Sequence, residues 1–166
     1  MWWKMIITDK LYLKNTKCLD VSLEEAFETV SHLEKALEWC EKNKQPGIGL
    51  AAIQIGIAQK VAIIRLPDVQ LNLANAYIDK FYDQYTFKNE GCLSLPGTVK
   101  STLRYQEIVV KGNLFEPHEF VATGMLAIAI QHELDHINNI LILDREEPVV
   151  KKGFIYSSKK RKGKKK

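Results

Sequence analysis

The stretch Met125-Leu126-Ala127-Ile128-Ala129-Ile130-Gln131-His132-Glu133-Leu134-Asp135-His136-Ile137 decides the fold. Its apolar residues point in nearly every direction of a helical wheel, which places such a helix in the middle of a domain. One polar cluster, of the form H-E-x-x-H, interrupts it from His132 to His136. Residues four apart share a helix face, so His132 and His136 can point at one metal ion. Glu133 follows the first of them and can lean toward the same ion, where a carboxylate takes a proton from a bound water. Burying this cluster costs free energy unless a metal or hydrogen bonds satisfy it. The competing reading is a surface helix that carries two histidines by chance. Thr123 is a residue type that caps a helix start. Asn138 and Asn139 suit its end, because Asn tolerates the left-handed conformation there.

A third ligand has to come from upstream. The continuation H-x-x-G-x-x-H fails, since Asn139 and Ile142 stand at the required positions. No His or Cys follows His136, and the acids beyond it are Asp144, Glu146 and Glu147. Asp144 ends an expected strand over residues 140–143, and the two glutamates precede Pro148 with no helix to carry them. Upstream, Cys40 falls on the apolar stripe of a helix and reads as core. His32 reads as the edge of that helix's buried face, His118 as an exposed turn residue after Pro117, and Cys18 as a half-exposed thiol in a polar loop. Cys92 differs. It lies in Glu90-Gly91-Cys92-Leu93-Ser94-Leu95-Pro96-Gly97, a loop whose glycines let backbone come close to another group. One thiolate, two imidazoles and an open position make a catalytic metal site.

Three motifs now stand in order: Gly47-Ile48-Gly49-Leu50-Ala51-Ala52-Ile53-Gln54, Glu90-Gly91-Cys92-Leu93-Ser94, and Gln131-His132-Glu133-Leu134-Asp135-His136. In this order and spacing the chain resembles the peptide deformylase family over roughly residues 11–144. The resemblance implies that Cys92, His132 and His136 hold one divalent metal with water in the fourth position. The family's usual ion is Fe²⁺, with Zn²⁺, Ni²⁺ or Co²⁺ able to replace it; all accept imidazole and thiolate, so the sequence does not choose. It implies removal of the N-formyl group from the initiator methionine of nascent polypeptides, with release of formate. Glu133 would take the proton from the attacking water and later give one to the leaving amine. The Gln54 amide and the Leu93 backbone N–H would hold the developing oxyanion with the metal. Ile48 and Gly49 would hydrogen-bond the substrate backbone, with Gly91 also among the substrate-binding residues. Ile48, Met125, Ile128 and Ala129 would form the apolar pocket for the methionine. Asp135 would orient His132 or a nearby group. Two departures stand out: Val99 and Lys100 occupy a loop where members often carry Arg, and the Pro-Asp of a usual N-terminal segment is missing.

At 166 residues the chain is one domain of ordinary size, large enough for a core. Three cysteines without regular spacing do not make a disulfide framework, and a reducing cytoplasm fits them. No run of about twenty apolar residues exists, so no membrane helix is expected. Met1-Trp2-Trp3-Lys4-Met5-Ile6-Ile7-Thr8-Asp9 does not read as a signal peptide. Residues 151–166 hold nine Lys or Arg and no acid, which leaves 15 basic and 20 acidic residues in 1–150, a net of −5 under the overall +4. The expected organisation is a catalytic domain over 1–150 and a basic, disordered tail over 151–166. Such a tail either solubilises the chain or holds ribosomal RNA by counterion release. A monomer is expected.

The remaining pattern sets the fold class. Residues 1–20 read as irregular, anchored by Leu11, Leu13 and Leu19. Ser22-Leu23-Glu24-Glu25 is a capping box opening a helix to about Lys42, with a stripe of Leu23, Phe27, Val30, Leu33, Leu37 and Cys40. Strands are expected over 60–66, 71–78 and 84–88, and a hairpin pair over 105–110 and 119–122. Strands clustered without intervening helices, followed by the metal helix, predict an α+β fold. Antiparallel strands would fold around a central metal-binding helix, with an N-terminal helix added. Two rivals remain open. A metallopeptidase with an upstream Cys ligand would cut internal peptide bonds, and an RNA-binding protein with a structural metal would need a closed four-ligand site.

Overall fold

Two three-stranded antiparallel sheets and three α-helices make up residues 6–145, the part of the chain that the computed structural model describes. The basic tail and the domain boundary at residue 150 lie outside the described residues.

The first helix, α1 (Lys10–Asn15), stands where irregular chain is expected. Asp9 explains it: its carboxylate accepts from the backbone of Leu11 and Tyr12 and satisfies two N–H groups the first turn leaves free. So short a helix turns only Leu13 inward, while the other expected anchors, Leu11 and Leu19, are exposed. Cys18 is buried rather than half-exposed, and burial pushes its thiol up to about 11.

Helix α2 (Leu23–Lys42) opens with the expected capping box, both reciprocal bonds between Ser22 and Glu25 being present. Val30, Leu33, Leu37 and Cys40 are buried as the stripe requires, but Leu23 and Phe27 are exposed. The buried face runs instead through Ala26, Thr29 and Ala36. Small residues let the helix approach the sheet closely, and a stripe drawn through large side chains passes over them.

Strands β1 (Gly49–Ala51), β2 (Val61–Leu66) and β3 (Val69–Ala74) form one sheet in that order. Strands β4 (Tyr77–Gly91), β5 (Val99–Lys111) and β6 (Phe120–Thr123) form the other. The single strand expected over 71–78 is two, broken at Asn75. That residue adopts φ 56° and turns its side chain to Val21, accepting from the Val21 N–H and donating to the Val21 carbonyl. The strand expected over 84–88 is a fragment of the long β4–β5 hairpin. The β5–β6 pairing is the expected one.

Helix α3 (Gly124–Ile137) packs against β1 and β2 of one sheet and β5 and β6 of the other. Gly124, at φ 59°, makes the corner from β6 into the helix, and Thr123 sits at the cap position without a side-chain cap bond. At the far end Asn139 adopts φ 62°; its N–H bonds His136 and that of Ile140 bonds Asp135, the paired bonds that close a helix. The strand expected over 140–143 is a 3₁₀ turn, Ile142–Asp144. The Asp144 carboxylate accepts from Leu141 N and the Arg145 N–H bonds Ile142, so these groups are spent locally rather than on a ladder. Among the described residues no helix is long and apolar enough to cross a membrane.

Candidate metal centre

Strand β4 ends at Gly91 and delivers Cys92 into a turn closed by Leu95 N bonding the Cys92 carbonyl. Across from it, α3 presents His132 and His136. Cys92 Sγ lies 3.3 Å from His136 Nε2, which lies 3.2 Å from His132 Nε2, and the three donor atoms all fall within 4.8 Å of one another. Bonds of about 2.05 Å to nitrogen and 2.3 Å to sulfur put the donors of one tetrahedral centre roughly 3.3–3.6 Å apart. The residues therefore fit a divalent cation. Hydrogen bonding among themselves fits them less well, since the two Nε2 atoms face each other and the buried Nδ1 of His136 has no partner among the described residues.

The electrostatics agree. Burial lowers the His132 pKa, but Cys92, Glu90 and Glu133 outweigh it and hold it up at about 10. His136 is pushed well below its ordinary value, by burial first and then by a charged His132. An anion-rich pocket that favours a proton on an imidazole favours a cation in its place.

Glu90 fixes the His132 ring. Its carboxylate accepts from His132 Nδ1 at 2.7 Å, from Arg104 Nε at 2.9 Å and Nη2 at 2.5 Å, and from Thr102 Oγ1. Burial raises the Glu90 pKa, yet His132, Arg104 and Thr102 together bring it down to about 2. Asp135, expected to orient His132 or a nearby group, holds a nearby group and not the ring itself. Its Oδ2 takes Arg104 Nη1 at 2.6 Å, so it reaches the ring only through Arg104 and Glu90. Glu90 stands in the Cys92 motif with no role expected of it, and Thr102 and Arg104 were not among the expected site residues. The signal available was that β5 turns both of these polar side chains inward, two residues apart.

Glu133 is buried beside the donors, and its Oε2 has no hydrogen-bond partner among the described residues. Burial pushes its carboxyl up to about 7, against the pull of His132. Its place is set by Gly49: a Cβ added there would lie 2.6 Å from Glu133 Oε1 and 3.1 Å from Cδ and Cγ. The carboxylate borders the cleft and can shift into it, so Gly49→Ala is expected to displace it. Steady-state kinetics should show kcat down roughly 10²-fold, about the lower end of what a positioned base contributes, with metal content unchanged. Gln54 is equally fixed. Its Oε1 accepts from Ala51 N at 2.9 Å, and its Nε2 donates to Ser94 Oγ at 3.1 Å and sits 3.8 Å from Cys92 Sγ.

A cleft of about 500 Å³ opens over these groups. Ile48, Gly49, Gly91, Met125, Ile128 and Ala129, the residues expected to bind substrate, all border it, as do Gln54, Cys92, Leu93, His132 and Glu133. Ile128 and Ala129 are buried, while Ile48 and Met125 stand half-exposed at the mouth. A Cβ on Gly91 would meet nothing within 4 Å, so that residue faces open space and not another part of the chain. Phe87, Leu95, Pro96 and Val99 also border the cleft and were not foreseen.

An H-E-x-x-H helix, a loop thiol beside its histidines and a buried carboxylate at the floor of an open cleft are the parts of a metallohydrolase. The family model for polypeptide deformylase matches residues 6–152. The chain belongs to the peptide deformylase family, metal-dependent hydrolases that remove the N-formyl group from the methionine of nascent polypeptides. It is 40% identical over 104 residues to peptide deformylase 1 of Pseudomonas syringae pv. tomato, a match spanning 60% of this chain and 62% of that protein. It is 33% identical over 155 residues to the peptide deformylase of Thermodesulfovibrio yellowstonii, spanning 86% of this chain and 93% of that protein. The crystal structure of a peptide deformylase from Synechococcus elongatus in complex with actinonin superposes with a TM-score of 0.74 at 31% identity, covering 88% of this chain and 79% of that one.

Proposed function

We propose that this chain deformylates N-formyl-methionyl peptides with Cys92, His132 and His136 as metal ligands and Glu133 as the base. The observation that carries the reading is the convergence of three donor atoms within 4.8 Å beneath a cleft whose floor holds Glu133, with its Oε2 unpartnered among the described residues. A divalent ion held there, Fe²⁺ in this reading, would lower the pKa of a water and polarise the formyl carbonyl. Glu133 accepts the proton of the attacking water and returns one to the leaving amine. Gln54 Nε2, locked by Ala51 and Ser94, and the Leu93 N–H bind the formyl oxygen as it gains charge. Strand β1 is the edge of its sheet, so Ile48 and Gly49 align the substrate backbone along its free side, with Gly91 opposite. The methionine side chain lies on Ile128 and Ala129, with Ile48 and Met125 at the rim.

In this reading α3 is the central metal-binding helix about which the antiparallel strands fold, and residues 1–150 act as one catalytic domain. The protein works as a monomer in the cytoplasm, and the Lys-rich residues 151–166 hold ribosomal RNA near the emerging chain. A closed structural site is the weaker alternative, because three metal donors, not four, converge among the described residues.

Formate release from a short N-formyl-Met peptide, measured without oxygen and with Fe²⁺ or Ni²⁺ supplied, tests the reading. Activity is expected in the wild type and none in Cys92→Ala, which should also lose its metal. A protein that binds one metal per chain yet releases no formate would keep the site and remove the substrate.

A further inference from the structure

We propose that Arg145 is a positioning residue for the metal ligand His132, acting from the C-terminal turn through a relay of ion pairs. The inference rests on the reading of His132 as a ligand. The relay is continuous: His132 Nδ1 to Glu90, Glu90 to Arg104, Arg104 Nη1 to Asp135 Oδ2 at 2.6 Å, and Asp135 to Arg145. The last link is a fork. Arg145 Nη2 donates to Oδ1 at 2.9 Å and Nε to Oδ2 at 3.2 Å.

The sharing of Arg104 gives a fifth member its place. Glu90, Asp135 and Arg104 are buried, and one guanidinium serves both carboxylates. Arg145 takes up Asp135 from the rim, with its side chain still 42% exposed. Remove it, and Arg104 must serve Asp135 without help, at the expense of its two bonds to Glu90. Glu90 is the one partner of His132 Nδ1 among the described residues, so loosening it frees the ring to leave the donor cluster.

The turn presents Arg145 firmly. The Arg145 carbonyl accepts from Leu103 N at 2.9 Å, next to Arg104 in β5, and the Arg145 N–H bonds Ile142. Asp144 is tied to Lys14 of α1 at 2.6 Å. An ion pair that only fastened this turn would cost thermal stability when broken and leave metal retention untouched.

The full chain loaded with Co²⁺ separates these cases. Arg145→Ala should lose Co²⁺ to a chelator roughly 3–10-fold faster than wild type, with kcat lowered, KM little changed and the ligand-field spectrum altered. Arg145→Lys should fall between them, since it restores the charge but not the fork. Release rates within twofold of wild type for both variants would overturn the relay, whatever happens to Tm. Should Arg145→Ala not fold, wild-type release by Arg145→Lys with an unaltered spectrum would overturn it equally. A wild type that retains no Co²⁺, or that retains it as well after His132→Ala, would remove the ligand reading and the relay with it.

Discussion

Glu133→Ala will keep one metal per chain and lose deformylation, with kcat reduced roughly 10²–10⁴-fold and KM little changed. The side chain is not among the three donors, so its loss takes nothing from the metal's inner sphere. It is the one buried carboxylate at the cleft floor whose Oε2 is spent on nothing else among the described residues. Glu90 and Asp135, the other acids near the helix, are committed to His132 and the two arginines. No neighbour can therefore take over the proton transfer. Glu133 is also buried with its carboxyl pushed up to about 7, a value suited to both accepting and returning a proton near neutral pH. Thermal stability should hold or rise, because the mutation removes a buried polar atom without a partner. Metal analysis, circular dichroism and formate release on one preparation check all three statements. Turnover near the wild-type rate would end the role given to Glu133.

Much of this centre was legible in the chain because its chemistry is local. His132, Glu133 and His136 lie on one helical segment whose apolar surroundings announce burial, and Cys92 was singled out by elimination and by its glycine-bounded loop. What stayed illegible is what depends on pairing across space. Periodicity gives a strand its faces but not its partner. Arg104 could not be matched to Glu90 and Asp135 until β4, β5 and α3 were placed together, and the bond from His132 to Glu90 became visible only with them. The same limit explains the fold errors. Asp9 makes a helix of residues that read as irregular. Asn75 breaks a strand by a backbone conformation that no hydrophobic pattern records. The inward face of α2 follows small residues such as Ala26 and Ala36, which a stripe of large side chains ignores.

Arg104→Ala should destabilise the fold by about 3–5 kcal/mol, the usual cost of removing one partner from a buried ion pair. For a chain of this size that lowers Tm by roughly 6–20 °C. The guanidinium is almost wholly buried at 2% exposure and bonds two carboxylates. Its loss leaves Glu90 with only His132 as a cationic partner among the described residues, and Asp135 with only the half-exposed Arg145. Denaturant unfolding should be followed with chelator present in every sample, so that lost metal binding does not add to the difference. The triple change Glu90→Gln, Arg104→Met, Asp135→Asn should recover most of that stability, since no buried charge is then left unpaired. It should not recover metal retention, because a neutral amide is a weaker acceptor for His132 Nδ1 than a carboxylate. Stability and function would then separate, and the network could be understood as kept for aiming an imidazole rather than for holding the fold. Arg104→Ala as stable as wild type would show that the two carboxylates protonate or find water without it. The three charges would then be independent neighbours, and neither Arg104 nor anything beyond it could steer His132.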